Sequence, residues 1–143
     1  MLTVADIMTE AVTTIASSAT VAEAIHLMQQ RQIRALLVER RYQGMPFGVV
    51  TERDIVYMVV GRGHDPEKVI VQDIMRQPCI SLEPHLTIQE ASRILAETGL
   101  QRAPVVQAGR LVGIISVTDI LMRGIQVPGM RSSLQSTQSS AAA

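Results

Sequence analysis

Gly48-Val49-Val50-Thr51-Glu52-Arg53-Asp54-Ile55 has a counterpart in Gly113-Ile114-Ile115-Ser116-Val117-Thr118-Asp119-Ile120. Both read glycine, two β-branched residues, a hydroxyl residue, two variable positions, aspartate and isoleucine. The β-branched pair suits a buried strand end, and the hydroxyl then turns the chain into a helix. The first turn of a helix carries unpaired N–H groups and a partial positive charge, which suit a phosphate. A carboxylate three residues beyond the hydroxyl can accept from the two hydroxyls of a ribose. Thr51-x-x-Asp54 and Ser116-x-x-Asp119 equally describe an ordinary helix start, with a hydroxyl cap and an acid in the first turn.

The duplication extends outward from this junction. Residues 4–39 match residues 71–106 at a constant offset of 67. Val4, Asp6, Ile7 and Met8 match Val71, Asp73, Ile74 and Met75; Thr20, Glu23 and Ala24 match Thr87, Glu90 and Ala91. Past a hairpin loop two residues longer in the first copy, the offset becomes 65. Self-similarity on this scale marks a structural repeat. Each unit opens on Asp-Ile-Met and continues into an extended segment, Val12–Ile15 or Cys79–Leu82. The capping boxes Thr20-x-x-Glu23 and Thr87-x-x-Glu90 then each start a helix. Val21, Ala24, Ile25 and Met28 share one helical face, which Ile88, Ala91 and Leu95 repeat. Gly99 suits the end of the second helix. Strands follow at Ala35–Glu39 and Phe47–Val50, and at Ala103–Val106 and Leu111–Ile115. They are joined by a loose turn around Gly44 and a tight one at Gly109-Arg110. Closing helices run over Glu52–Val60 and Val117–Gly124. The expected class is α/β (α+β), β-α-β-β-α twice. The first unit covers residues 1–60, a linker 61–70, the second unit 71–125, and a disordered Ser-, Gln- and Ala-rich tail 126–143.

Composition narrows the functions. Apolar residues make up 47% of the 143, so the body can bury a core. Aromatics are 2%, and 13 basic residues balance 13 acidic ones. Neither base-stacking platforms nor a general nucleic-acid footprint is expected. The basic side is arginine apart from Lys68, which suits planar recognition of phosphate. A single cysteine, Cys79, excludes an internal disulfide, and a cytoplasmic setting is expected. No apolar run is long enough to span a bilayer. His26, His64 and His85 are scattered, so no metal site is expected. No nucleophile-and-base pattern supports an enzyme.

The whole of residues 1–125 resembles a tandem pair of CBS (cystathionine β-synthase) domains, a Bateman module. The resemblance rests on Asp-Ile-Met, on Leu100-Gln101-Arg102-Ala103-Pro104-Val105-Val106, and on both glycine-to-aspartate junctions. It implies two composite clefts between pseudo-twofold repeats, binding an adenosine nucleotide (AMP, ADP or ATP) as regulatory ligand. One cleft would combine Ile114, Ser116 and Asp119 with Ala11, Thr13, Ile33 and Arg34. The other would combine Val49, Thr51 and Asp54 with Pro78, Ile80, Leu100 and Gln101. Arg31, Arg34, Arg53 and Arg102 are the implied phosphate partners. Asp119 is the stronger ribose candidate, because its cleft borrows Arg34 and the other borrows neutral Gln101. Leu37 departs from the pattern where the second copy has Pro104, so the two clefts need not be equivalent.

Ile55-Val56-Tyr57-Met58-Val59-Val60 is apolar nearly all round, which predicts packing on another chain and a homodimer. The expected function is therefore a regulatory module signalling to a regulated protein. The alternative of a different class is a ligand-free dimeric interaction scaffold.

Overall fold

The computed structural model describes residues 1–128. The expectations for the tail beyond them lie outside the described residues. In order, the chain forms α1 (Val4–Ile7), β1 (Thr14–Ile15), α2 (Val21–Arg31), β2 (Ala35–Val38), β3 (Phe47–Thr51) and α3 (Glu52–Ile55). α3 runs on as a π-helical turn, Val56–Val60, and a 3₁₀ turn over Val71–Asp73 opens the second repeat. Then come β4 (Arg76–Cys79), α4 (Ile88–Thr98), β5 (Arg102–Gln107), β6 (Arg110–Ser116) and α5 (Val117–Arg123). The order β-α-β-β-α occurs twice, as the repeat predicts.

The local signals act as their chemistry requires. Thr20 and Thr87 cap α2 and α4, each accepting from the N–H of the glutamate three residues on, at 3.1 Å in both copies. α4 ends on Gly99 at φ 74°, and α2 ends on Gln32 in the same left-handed region at φ 55°. The tight hairpin turns through Ala108 and Gly109, both at positive φ, so Arg110 already belongs to β6. That pair of left-handed residues matches the twist of the flanking strands.

One feature exceeds what the repeat predicts: the opening segments are exchanged. β4, from the second repeat, pairs antiparallel with β3 of the first in the sheet β1-β2-β3-β4. In the mirror position Thr9 bridges Ile114 of β6, with two N–H···O bonds of 2.9 Å. The second halves of the openings stay at home: Ile15 pairs with Val38 and Leu82 with Val105, both parallel. This is why the second strand lies at Arg76–Cys79 and not at Cys79–Leu82. In this copy the residues that form a regular ladder are those reaching across to the first repeat.

The cores follow the exchange. Ile15, Val21, Ala24, Leu36, Val38, Val50, Ile55 and Val59 pack with Val71 and Ile74 from the second opening. Leu82, Ala91, Leu95, Ala103, Val105, Ile115 and Ile120 pack with Val4 and Ile7 from the first. Val4 and Val71 are fully buried, a burial worth about 1.5–3 kcal/mol for each such side chain. The glycines of the two junctions serve the same exchange. A Cβ on Gly48 would lie 2.7 Å from Met75 Sδ, and one on Gly113 would lie 2.7 Å from Met8 Sδ. Each glycine thus leaves room for the methionine of the other repeat's Asp-Ile-Met. Leu37, Phe47, Val49 and Cys79 form a third cluster that joins the repeats.

Candidate functional site

Each junction builds a capping box around its aspartate. Thr51 N–H and Oγ1–H donate to Asp54 Oδ2 at 3.0 and 2.9 Å, and Asp54 N–H returns a bond to Thr51 Oγ1 at 3.3 Å. Ser116 N–H donates to Asp119 Oδ2 at 3.0 Å, and Asp119 N–H donates to Ser116 Oγ at 3.1 Å. The second carboxylate oxygen is where the two copies part. Asp54 Oδ1 accepts from Arg76 Nε at 3.2 Å, across the repeat boundary. Asp119 Oδ1 accepts from Arg123 on its own helix at 3.0 Å. Arg123 also donates to the Ile7 carbonyl at 2.5 Å, which ties Asp119 to α1. Asp54 is 5% exposed and the Asp119 side chain 22%. Asp119 accepts fewer hydrogen bonds than Asp54 and is the more open to a further donor.

Between the repeats lies a cleft of about 280 Å³. It gathers Val49 and Thr51 from the first repeat with Leu100 and Gln101 from the second, the pairing drawn above for the Asp54 side. Arg34, drawn with the Asp119 side, lines the same space together with Thr118. Arg34 and Gln101 are equivalent positions, and so are Arg53 and Thr118, so this single cleft straddles the pseudo-twofold axis. The backbone holds both rims alike: Glu52 N–H donates to the Arg34 carbonyl and Val117 N–H to the Gln101 carbonyl, each at 2.9 Å.

Arginine dominates the lining. Arg34, Arg53, Arg76 and Arg102 all face the cleft, against Glu52 as the one carboxylate among the lining residues. Arg53 lies over the Tyr57 ring at 5.5 Å. Burial holds Arg102 below its ordinary pKa; Glu52 and Asp119 oppose the shift, and Arg34 adds to it. A guanidinium partly stripped of water beside another guanidinium is an anion-seeking arrangement.

On the Asp119 side, Arg31 donates to Thr13 Oγ1 at 3.3 Å, bringing two of the expected residues together. Ala11 is exposed and Ile33 and Ile114 are half-buried. Pro78 and Ile80, expected beside Asp54, are exposed at the end of β4 and beyond it. Sequence reasoning missed Arg76 and Arg123. Their repeat equivalents are Thr9 and Met58, and their partners lie 22 residues away (Asp54) and 116 residues away (the Ile7 carbonyl).

Two apolar grooves lie away from the cleft. One, about 240 Å³, is lined by Ile25, Met28, Ile33, Ile55 and Val56 among others. The other, about 440 Å³, takes the equivalent Leu95, Leu100, Ile120 and Leu121. Beside them Val56, Tyr57, Val60, Leu121 and Met122 are all at least half exposed. Cys79 is buried, and burial pushes its thiol up to about 11. Among the described residues, no three His, Cys, Asp or Glu side chains gather where they could hold a metal ion. Nor is any helix there long and apolar enough to cross a membrane.

Comparison with known proteins adds to this geometry. The CBS domain family model matches residues 4–61 and 71–125. The CBS domain-containing protein YhcV of Bacillus subtilis is 32% identical over 120 residues, covering 84% of each chain. An uncharacterized protein of Methanopyrus kandleri is 36% identical over 103 residues; the match takes in 71% of this chain and 52% of that one. This chain therefore spans about half the length of the Methanopyrus relative. Among solved structures, a hexameric CBS-CP12 protein from bloom-forming cyanobacteria superposes with a TM-score of 0.81 at 40% identity. That match covers 99% of this chain and 85% of the other.

Proposed function

Because this chain belongs to the CBS domain family, as two repeats in tandem, we propose that it is a regulatory module binding an adenosine nucleotide of the AMP, ADP or ATP class between them. The observation that carries the reading is the composite cleft. Val49 and Thr51 face Leu100 and Gln101 there, so a ligand touching both sides depends on how the repeats sit together. Apolar Val49 and Leu100 in the lining suit a base and its arginines a phosphate; Asp54 and Asp119, next in sequence to the lining residues Arg53 and Thr118 but not themselves in the lining, would take a ribose.

The signal would be conformational. A ligand shifts an equilibrium only by its differential affinity for the two states. Arg76 on Asp54 and Arg123 on Asp119 supply such a difference. A ribose taking either carboxylate competes with a contact that reaches the other repeat, through β4 in one case and the Ile7 carbonyl in the other. The regulated partner would read the changed angle between repeats or subunits. We further infer a cytoplasmic homodimer, formed through the paired apolar grooves and the exposed Val56, Tyr57, Val60 and Leu121.

The same exposed helices favour a second reading, a ligand-free dimeric scaffold that needs the grooves and not the cleft. A thermal-shift panel of AMP, ADP, ATP, NAD and S-adenosylmethionine separates the two. Selective stabilisation by an adenosine nucleotide is expected; a flat panel would leave the scaffold as the better account.

A further inference from the structure

The first repeat carries a further groove, of about 600 Å³, that shares no lining residue with the cleft between the repeats. Its floor is apolar: Ile15 is buried, and Ala22 and Leu27 are half-buried. Its rim is polar and exposed: Glu23 and His26 on α2, and Glu67 from the segment joining the repeats. That segment is fixed in place, because its Pro66 and Val69 carbonyls accept from the Ala22 and Val21 N–H groups at 2.9 and 2.8 Å. The lining holds two carboxylates and neither lysine nor arginine. Glu23 accepts from the Thr20 N–H at 3.2 Å, and among the described residues neither glutamate makes an ion pair. Lys68, next to Glu67, is exposed and pairs with neither. β1, which supplies Ile15, is the edge strand of its sheet and pairs only with β2. Its Thr13 and Ile15 carbonyls accept from Leu37 and Glu39 N–H, so the alternation along a strand turns the Thr14 N–H and carbonyl outward. The second repeat does not reproduce this lining: Gln89 stands at the position of Ala22 and Arg93 at that of His26.

We propose that this groove docks a short extended segment of a partner protein, one that carries arginine or lysine between aliphatic side chains. An apolar floor under two unpaired carboxylates asks for both kinds of side chain at once. In an extended chain every second residue lies on the same face, so aliphatic groups on Ile15 and Leu27 leave the cation between them to meet Glu23 and Glu67. The outward Thr14 groups offer the backbone of such a segment a strand edge to join. The groove lies outside the inter-repeat cleft, and the proposal does not depend on what binds there.

The test is an NMR titration of the isotope-labelled full chain with the peptide Val-Thr-Arg-Thr-Val, blocked at both ends. Saturable amide shifts are expected at Thr14, Ile15, Ala22, His26 and Glu67. The same peptide with glutamate in place of arginine should bind at least about tenfold more weakly, since two attractions become repulsions. Glu67→Gln should weaken the arginine peptide by up to about fivefold, the range of an exposed ion pair. His26→Arg, which installs the side chain of the second repeat, should weaken it severalfold. Both variants change exposed side chains, as does Glu97→Gln on α4, which lies outside the groove and should change nothing. No saturable shift, shifts gathered away from the groove, equal affinity for the two peptides, or an equal loss in Glu97→Gln would overturn the proposal. So would acetylarginine amide binding as tightly as the peptide, which would make the groove a site for a small cation. The same shifts appearing when the chain alone is concentrated would assign the groove to a second copy and overturn it too.

Discussion

Replacing Gly113 with alanine would place a methyl carbon 2.7 Å from Met8 Sδ and 2.9 Å from the Thr9 carbonyl oxygen. The thioether can swing aside, but the carbonyl cannot. Thr9 is fixed to Ile114 by bonds in both directions, so retreat breaks the bridge between the first opening and β6. At the matching position, alanine at Gly48 meets Met75 Sδ at 2.7 Å, while the nearest backbone atom, the Arg76 carbonyl oxygen, stands off at 3.4 Å. Neither glycine has positive φ, so alanine brings no backbone strain and recovers about 0.5–1 kcal/mol of unfolded-state entropy. Overpacking costs about 1–3 kcal/mol. Gly113→Ala should fall near the top of that range and Gly48→Ala near the bottom, where the gain nearly cancels it. For a domain of this size 1 kcal/mol moves Tm by about 3–5 °C. Differential scanning calorimetry should then show Gly113→Ala melting roughly 5–10 °C below wild type and Gly48→Ala within about 3 °C of it. Equal shifts in the two variants would refute the reasoning that the fixed Thr9 carbonyl adds to the methionine contact at Gly113.

Asp119→Ala should weaken the best adenosine nucleotide by about tenfold or more, since charge-assisted bonds to two ribose hydroxyls are lost. Asp54→Ala should spare the Asp119 contact; titration of both variants, with circular dichroism to check the fold, decides between a ribose ligand and a plain helix cap. Light scattering should give twice the 15.6 kDa chain mass, and Leu121→Glu, in the larger groove, should return the mass to that of one chain. Hydrogen bonds from Thr3 and Thr87 hold Asp6 and Glu90 below their ordinary values of 3.8 and 4.5. Their contribution is present above those values and is lost as pH falls through the lower folded ones. Acid melting curves of Asp6→Asn/Glu90→Gln should therefore lose part of the wild-type slope below about pH 4.5. Native Cys79, with its thiol pushed up to about 11, should resist iodoacetamide at pH near 8 and react once denaturant is added.

The element order was legible because each signal is local. A threonine three residues before a glutamate and a β-branched run act on their own neighbourhood and recur at the repeat offset; a left-handed glycine ends α4, and Gln32 takes its place after α2. The exchange was not legible. Val4 and Val71 look the same whichever core they enter, and pairing between Thr9 and Ile114 depends on distance in space. The closing helix over Glu52–Val60 forms as read, and it widens at Val56, where Gly61 N–H reaches the Val56 carbonyl at 2.7 Å. That wider turn keeps Val59 fully buried while Val56, Tyr57 and Val60 stay exposed. Of the candidate cleft, the residues at equivalent positions could be named in advance. Arg76 and Arg123 could not, because their contacts with Asp54 and with the Ile7 carbonyl join segments far apart in the chain.

The crossed openings bear on how such a chain can come into being. A lone repeat lacks the valine and isoleucine that seal its own interior and carries a pair that seals another's. Two unlinked copies could satisfy each other by trading arms, so the ancestor suggested by this architecture is a one-repeat protein that existed only as an interlocked couple. Joining the two repeats in one chain keeps such a partnership together and leaves each half free to differ in sequence. The unequal arginines are such a difference: Arg34 and Arg53 reach the shared space from one half, Arg76 and Arg102 from the other.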